Sequence, residues 1–189
     1  LQNSFKNEFK NKKILITGGT GSIGIGLIKQ LLPYQPKIIK IFTNDENSIF
    51  ESMRKFGKNP IIDYEMGDML DKERLDFVIR GIDIVFHAAA MKHVDICEEN
   101  PFDAVKTNLI GTSNIIESSI AEQVSKFILI STDKATLPST TLGASKLLAE
   151  RLTINANSYD NFNKTIFALV RFGNVIGSRG SVYQIFLDQ

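Results

Sequence analysis

The 189-residue chain has no tryptophan and a single cysteine, Cys97. One thiol cannot form an intramolecular disulfide, which excludes a disulfide-stabilised secreted domain. No apolar run approaches the roughly 18 residues of a membrane-spanning helix, and no signal-peptide pattern is present. We therefore expect a cytoplasmic protein, while the start at Leu1 rather than Met leaves an anchor upstream open.

The chain also lacks a large excess of charge of either sign, since 22 Lys and Arg nearly balance 21 Asp and Glu. The lysines are scattered apart from a group near the start, so we predict no nucleic-acid surface. Hydrophobic residues make up 43% and charged residues 23%, which is typical of a globular domain. We predict no metal site.

Apolar runs alternate with helical patterns along the whole chain. We predict strands at 14–16, 38–42, 61–66, 82–86, 127–131 and 166–171, and helices at 25–32, 48–56, 72–79, 102–122 and 144–157. Nearly continuous apolar strands between helices are typical of a parallel sheet covered on both faces. The predicted fold class is therefore α/β, a doubly wound parallel sheet of the Rossmann type, which binds ligands at the carboxyl ends of its strands.

This organisation predicts one Rossmann domain over 1–189. Residues 1–11 are expected to form a solvated N-terminal arm. Residues 173–189 are glycine-rich and then apolar, and we expect them to begin a substrate-binding portion that is truncated.

A glycine-rich turn, Thr17-Gly18-Gly19-Thr20-Gly21-Ser22-Ile23-Gly24, joins the first predicted strand to the first predicted helix. Gly18 permits the tight turn, Gly21 lets the backbone approach a pyrophosphate, and Gly24 lets the helix pack close to the strand. The amides at the helix start then face the anion. We predict that Thr20, Ser22 and Ile23 join these glycines in binding the cofactor.

Polar residues at the ends of the second and third predicted strands bear on the choice of cofactor. An acid at the end of the second strand binds the ribose hydroxyls of NAD, but Thr43 stands there, followed by Asn44 and Asp45. Thr43 leaves room for a 2′-phosphate, so NADP is favoured and NAD is the alternative, although no arginine follows. Asp45 fits a cofactor contact or a helix N-cap. Asp68, with Met69 beside it, is predicted to contact the adenine.

The fourth predicted strand ends in His87, which we expect to face the core. Small residues then let a flat cofactor pass close to the backbone: Ala88, Ala89 and Ala90. Lys92 and His93 lie just beyond, at the rim where a substrate would bind.

The fifth predicted strand ends in Ser131-Thr132-Asp133-Lys134. An adjacent acid and base at the carboxyl end of a central strand are well placed for proton transfer. A surface ion pair of little energetic value is the alternative.

Two further polar residues fall in predicted helices. Asn108 is unfavourable in a helix interior, and it fits a site role or a structural one. Lys146 lies early in the last predicted helix. In related oxidoreductases a tyrosine four residues earlier shares its helix face and transfers a proton. Leu142 stands at that position here, and leucine cannot do so.

Several segments together resemble the extended short-chain dehydrogenases/reductases, and more narrowly the UDP-N-acetylglucosamine 4,6-dehydratases of the polysaccharide-biosynthesis branch. The segments are TGGTGSIG at 17–24, HAAAMKHVDICEENP at 87–101, KTNLIGTSNIIE at 106–117, STDKA at 131–135, GASK at 143–146 and RFGNVIGSRGSV at 171–182. The resemblance covers nearly the whole chain.

The resemblance implies a nicotinamide cofactor that is reduced and reoxidised within one turnover, and loss of water across C5 and C6 of the sugar. Asp133 would protonate the leaving C6 hydroxyl, Lys134 would take the C5 proton, and Thr132 would bond the sugar near O4. Lys146 would bind the nicotinamide ribose. The nucleotide-sugar would meet Asn174 and Arg179.

The family also has members with Met in place of the tyrosine, so Leu142 leaves the base for the 4-hydroxyl open. Thr132, Asp133 or a bound water would serve, and Asp133 is our preferred hypothesis. The resemblance further implies a homo-oligomer that takes UDP-N-acetylglucosamine or a related UDP-sugar for polysaccharide or glycan synthesis. The alternatives are a sugar-nucleotide 4-epimerase and a non-catalytic NAD(P)-binding module.

Overall fold

The computed structural model describes residues 7–159 and 165–175. Six strands form one parallel sheet: β1 (Lys13–Thr17), β2 (Ile38–Thr43), β3 (Ile62–Met66), β4 (Ile84–His87), β5 (Lys126–Thr132) and β6 (Ile166–Phe172). Their order is β3-β2-β1-β4-β5-β6, which is the doubly wound order that places a ligand crevice at the switch between β1 and β4. The predicted fold class is confirmed.

Helices connect the strands: α1 (Ser22–Leu31), α2 (Glu46–Phe56), α3 (Lys72–Val78), α4 (Val94–Glu99), α5 (Pro101–Val105), α6 (Gly111–Ala121) and α7 (Thr141–Ala156). Short 3-10 turns follow α1 at Leu32–Tyr34 and β5 at Asp133–Ala135. A π segment, Lys106–Ile110, joins α5 to α6.

Strand β1 shows how the sequence produces the two-sided core. Its side chains alternate between the faces of the sheet. Leu15 packs on one face in a cluster with Phe127 and Leu129. Ile14 and Ile16 pack on the other in a cluster with residues of α1 and β2. All three β1 side chains have no solvent exposure, which is why this strand reads as a continuous apolar run.

One expectation needs correction, and another needs an addition. The single helix predicted at 102–122 consists of α5, the π segment and α6, because the Gly111 amide donates to the carbonyl of Lys106, five residues back. The described part of the N-terminal arm, 7–11, is exposed at four of its five residues, but it also contacts the domain, which the sequence did not indicate. Phe9 packs on Tyr34 with 5.6 Å between ring centroids, and Glu8 forms an ion pair with Lys126.

Helix α4 was missed by the sequence analysis. Its six residues include Cys97, which is buried in a small apolar cluster with Ala104 and Leu142. The helix ends at Glu99, and Pro101 begins the next helix two residues later. Six residues are too few to show a helical period in the sequence.

Candidate functional site

The glycine turn between β1 and α1 has the geometry expected of a phosphate-binding loop. Gly18 adopts φ +64°, and a Cβ there would lie 2.7 Å from the amide nitrogen of Ala89. Gly21 is the N-cap of α1 and brings no side chain to cap it. The first turn of α1 therefore has no side-chain cap from Gly21, and it begins beside backbone that an anion can approach closely.

This turn forms one wall of a cleft of about 1100 Å³ at the carboxyl ends of the strands. Most of the sequence-predicted site residues line it: Gly18, Thr20, Gly21, Ser22, Ile23, Gly24, Thr43, Asn44, Asp45, Asp68, Met69, Ala88, Ala89, Ala90, Lys92, His93, Thr132, Lys134 and Asn174. The cleft thus joins the ends of β1 to β6. Its shape and glycine cradle fit a dinucleotide.

The ends of β2 and β3 are joined by side-chain hydrogen bonds. Asn44 Nδ2 donates to Asp68 Oδ2 at 2.9 Å, and the Leu70 amide donates to Asp68 Oδ1 at 2.9 Å. Asp45 caps α2, because its Oδ1 accepts from the Ser48 amide at 3.1 Å. Asp45 also lines the cleft, so its cap position and a cofactor contact are compatible.

His87 is buried at the end of β4, as the sequence predicted. Thr112 Oγ1 donates to the carbonyl of Asn108 at 2.6 Å, so it must accept from His87 Nε2 at 2.9 Å. His87 Nδ1 then accepts from Thr17 Oγ1 at 2.6 Å. Burial, with the charge of Lys146, lowers the pKa of His87 to about 3. The imidazole is therefore a neutral strut between β4, β1 and α6.

Asn108 lies in the π segment and holds the chain beyond the three alanines. Its Oδ1 accepts from the Met91 amide at 2.8 Å, and its Nδ2 donates to the Met91 carbonyl at 3.2 Å and to Ser145 Oγ at 3.0 Å. The side chain is 1% exposed. Asn108 is not among the described residues that line the cleft, so a direct cofactor contact stays a prediction.

The acid and base after β5 lie beside the end of β6. Thr132 Oγ1 donates to Asp133 Oδ1 at 2.9 Å, and Lys134 Nζ lies 3.5 Å from the same oxygen. Lys134 Nζ also donates to Asn174 Oδ1 at 3.2 Å. The hydrogen bond from Thr132, reinforced by the charge of Lys134, lowers the pKa of the exposed Asp133. Asp133 is therefore a carboxylate at neutral pH.

Helix α7 comes unusually close to this acid and base. A Cβ at Gly143 would lie 2.5 Å from the carbonyl oxygen of Lys134, so the helix start can pack here only with glycine at that position. Leu142 is 4% exposed and packs in the apolar cluster of Cys97 and Ala104 instead of lining the cleft. Its side chain thus packs α7 against α4 and α5.

Lys146 is also buried, and its Nζ donates to the carbonyl of Ile130 at 2.8 Å. Burial lowers its pKa to about 8, while the Glu150 carboxylate favours the charged form. Lys146 does not line the cleft among the described residues, so its binding of a nicotinamide ribose stays a prediction. Arg179 lies outside the described residues.

Sequence analysis missed Glu150, a buried carboxylate that joins three elements. It accepts from Arg171 Nε at 2.8 Å, Arg171 Nη2 at 2.6 Å and Ser131 Oγ at 2.5 Å. Burial raises the pKa of Glu150, but these hydrogen bonds outweigh it and the net direction is down. The only local signal was an acid one helical turn after Lys146.

The sheet order and the cleft define a domain of the Rossmann type. Residues 14–189 match the model of a family described as polysaccharide biosynthesis protein. The chain therefore belongs to this polysaccharide-biosynthesis family of the extended short-chain dehydrogenases/reductases, as the resemblance predicted.

Two relatives illustrate different named activities. The chain is 46% identical to a UDP-N-acetylglucosamine 4,6-dehydratase (inverting) of Campylobacter jejuni, over 94% of this chain and 53% of the relative. It is 40% identical to a UDP-glucose 4-epimerase of Rickettsia bellii, over 96% of this chain and 54% of the relative. The chain spans about half the length of the curated relatives it matches.

A solved structure supports the same relationship. Pen from Bacillus thuringiensis is 44% identical and superposes with a TM-score of 0.93, over 96% of this chain and 58% of that one. A further relative, 52% identical over 97% of this chain and 55% of its own length, is an uncharacterized membrane protein of Methanocaldococcus jannaschii. Within residues 7–159 and 165–175, no helix of this chain is long and apolar enough to span a bilayer.

Proposed function

We propose that this chain supplies the cofactor site and the acid–base pair of a nucleotide-sugar 4,6-dehydratase acting on UDP-N-acetylglucosamine, in polysaccharide or glycan synthesis. One observation carries the proposal. Asp133 and Lys134 lie beside Asn174 at the carboxyl ends of β5 and β6, and the cleft lined by Lys134 is also lined by the glycine turn. Elimination needs an acid and a base together at this place.

In this proposal Asp133 and Lys134 carry out the proton transfers of the dehydration. A bound nicotinamide supplies the acceptor and later the donor of hydride. The Asp133 carboxylate takes the proton of the 4-hydroxyl. Lys134, after its ammonium has released a proton to solvent, takes the proton from C5, which the 4-keto group has acidified. Asp133 returns its proton to the C6 hydroxyl, which leaves as water, and Lys134 returns its proton to C5 when hydride reaches C6. Because the pKa of Asp133 is lowered, its carboxyl is ionised at the start and can accept the 4-hydroxyl proton, and once protonated it returns the proton readily.

The proton balance also bears on Leu142, the residue in place of tyrosine. Its side chain is buried away from the cleft and has no proton to move. Thr132 lines the cleft and donates its hydroxyl proton to Asp133. Asp133 is not itself among the described residues that line the cleft, so its contact with a sugar hydroxyl is part of the proposal. Asp133 therefore replaces the phenol in this proposal.

The test is conversion of UDP-N-acetylglucosamine by the longest form of the protein, read by mass spectrometry under anaerobic conditions. We expect a product lighter by one water. Asp133→Asn should abolish the product and also oxidation at C4, with cofactor binding retained. Asp103→Asn is the matched control, because Asp103 is an exposed acid on α5 that pairs only with the exposed Lys106 among the ion pairs of the described residues. Near-normal oxidation at C4 by Asp133→Asn would contradict its role as base.

The second candidate is a 4-epimerase, favoured by the similarity to the Rickettsia protein. It predicts a product of unchanged mass with inverted configuration at C4. A non-catalytic NAD(P)-binding module, suggested by Leu142, predicts bound cofactor and no change in the sugar nucleotide. We also propose that 173–189 begin the substrate-binding portion and that the protein forms a homo-oligomer.

A further inference from the structure

The ends of β2 and β3 form the part of the cleft that meets the adenosine ribose. Asn44 and Asp45 lie about 20 residues beyond the glycine turn, where Rossmann domains recognise the ribose 2′-position. We infer that this site selects NAD over NADP and that Asn44, Asp45 and Asp68 set the selection. The inference deepens the proposed function, since it rests on the cleft being a dinucleotide site.

The charge at this end of the cleft is negative. Asp45, Asp68 and Asn44 are all exposed and line the cleft together. Hydrogen bonds from Asn44 and from the Leu70 amide hold the Asp68 carboxylate in place. A ribose hydroxyl can donate to a carboxylate, whereas a 2′-phosphate carries about two negative charges and cannot.

The cations that would offset a phosphate lie elsewhere. Among the described residues that line the cleft, the only Lys and Arg are Lys92 and Lys134. They follow β4 and β5, and the sheet order puts both strands on the far side of β1 from β2 and β3. Arg74 is near β3, but its guanidinium donates to Glu65 at 2.5 Å and to the Met66 carbonyl at 3.1 Å.

The charge at this end of the cleft reverses the expectation from the sequence. The small residue Thr43 leaves room for a phosphate, which favours NADP on size alone. Room alone does not bind a dianion, because a phosphate facing carboxylates without a cation loses its hydration and gains repulsion. The 2′-hydroxyl of NAD meets the same residues as hydrogen-bond acceptors.

The test compares dissociation constants of NADH and NADPH for this chain by nucleotide fluorescence, which requires no sugar and no turnover. We expect NADH to bind about tenfold or more tightly, since like-charge contacts act against the phosphate. Asn44→Arg adds a side chain suited to phosphate and should reverse the order. Asp68→Asn should tighten NADPH severalfold. Asn155→Arg, an exposed position outside the cleft, controls for added positive charge.

The outcomes separate this inference from the proposed function. Equal or tighter binding of NADPH by the parent chain would overturn the selection while leaving a dinucleotide site in place. An unchanged order in Asn44→Arg and unchanged NADPH binding in Asp68→Asn would overturn the assignment of these residues. Binding of neither nucleotide would overturn the dinucleotide site itself. Failure to dehydrate UDP-N-acetylglucosamine, with NADH bound tightly, would refute only the proposed reaction.

Discussion

Two glycines of α1, two residues apart, should respond oppositely to the same substitution. A Cβ at Gly24 would lie 2.4 Å from both the Cα and the carbonyl oxygen of Gly19, whereas a Cβ at Gly26 would meet nothing within 4 Å. The obstacle at Gly24 is backbone of the phosphate-binding turn, which cannot rotate aside as a side chain can. Gly24→Ala must therefore displace the turn or the helix, and Gly26→Ala need displace neither.

The magnitudes follow from packing and helix propensity. Overpacking costs about 1–3 kcal/mol, and contact with backbone puts Gly24→Ala near the upper end, while alanine returns about 1 kcal/mol of helix propensity. The net loss is about 2 kcal/mol. Gly26→Ala keeps only the gain of about 0.5–1 kcal/mol. The two variants should differ by about 3 kcal/mol, or about 6–12 °C in Tm for a chain of this size.

Thermal unfolding of the two variants and the parent, with NADH titrations of each, measures both effects. Gly24→Ala should melt below the parent and bind NADH more weakly, because the displaced turn no longer presents its amides. Gly26→Ala should melt above the parent with unchanged affinity. Equal stabilisation by both substitutions would refute the close approach of α1 to the turn.

Three further predictions concern the buried polar groups and the surface. His87 has a pKa of about 3 in the fold against about 6.5 unfolded, so the unfolded state binds more protons below pH 6.5. The free energy of unfolding should fall by up to about 1.4 kcal/mol per pH unit between pH 6.5 and 3, and urea denaturation of His87→Gln at pH 7 and pH 5 should show a smaller loss than the parent; an equal loss would contradict the buried neutral imidazole. Asn108→Leu leaves the amide and carbonyl of Met91 without their partner and should cost about 2 kcal/mol in the same assay, whereas a neutral effect would mean that the chain at Met91 is held by other contacts. Lys72→Gln removes an exposed pair with Asp76 and should change stability by less than about 0.5 kcal/mol; a larger change would show that this pair is not a simple surface contact.

The parts of the fold that follow local patterns could be predicted from the sequence. Strand β1 is buried on both faces and therefore appears in the sequence as a continuous apolar run. The glycines of the turn follow it directly, so the strand-to-helix junction can be recognised from one short segment. Asp133 and Lys134 are likewise adjacent in the sequence and could be paired from it. The contact of Lys134 with Asn174 depends on the fold, because it forms where the ends of β5 and β6 lie side by side.

What could not be predicted depends on partners far apart in the chain. In the sequence, Glu150 resembles any acidic residue on a helix. Its role appears only in the fold, where Ser131 of β5 and Arg171 of β6 both donate hydrogen bonds to it. Leu142 reads as a lost catalytic group, and only its packing on Cys97 and Ala104 gives it a structural place. The inferred preference for NAD rests on the carboxylates of Asp45 and Asp68, which line the same part of the cleft, and the size of Thr43 contains no such information.

The π segment at Lys106–Ile110 contains one residue more than a regular helical turn, and this extra residue sets the positions of Asn108 and Thr112. A helix advances about 100° per residue, so removing one residue here would restore regular α-helix and rotate either Asn108 or Thr112 away from its partner. Regular α-helix is the more stable backbone, so contacts outside the helix hold the widened turn, among them those of Asn108 with Met91 and Ser145 and of Thr112 with His87. A one-residue gap at this place in a relative would mark a protein that secures the same rim by different means.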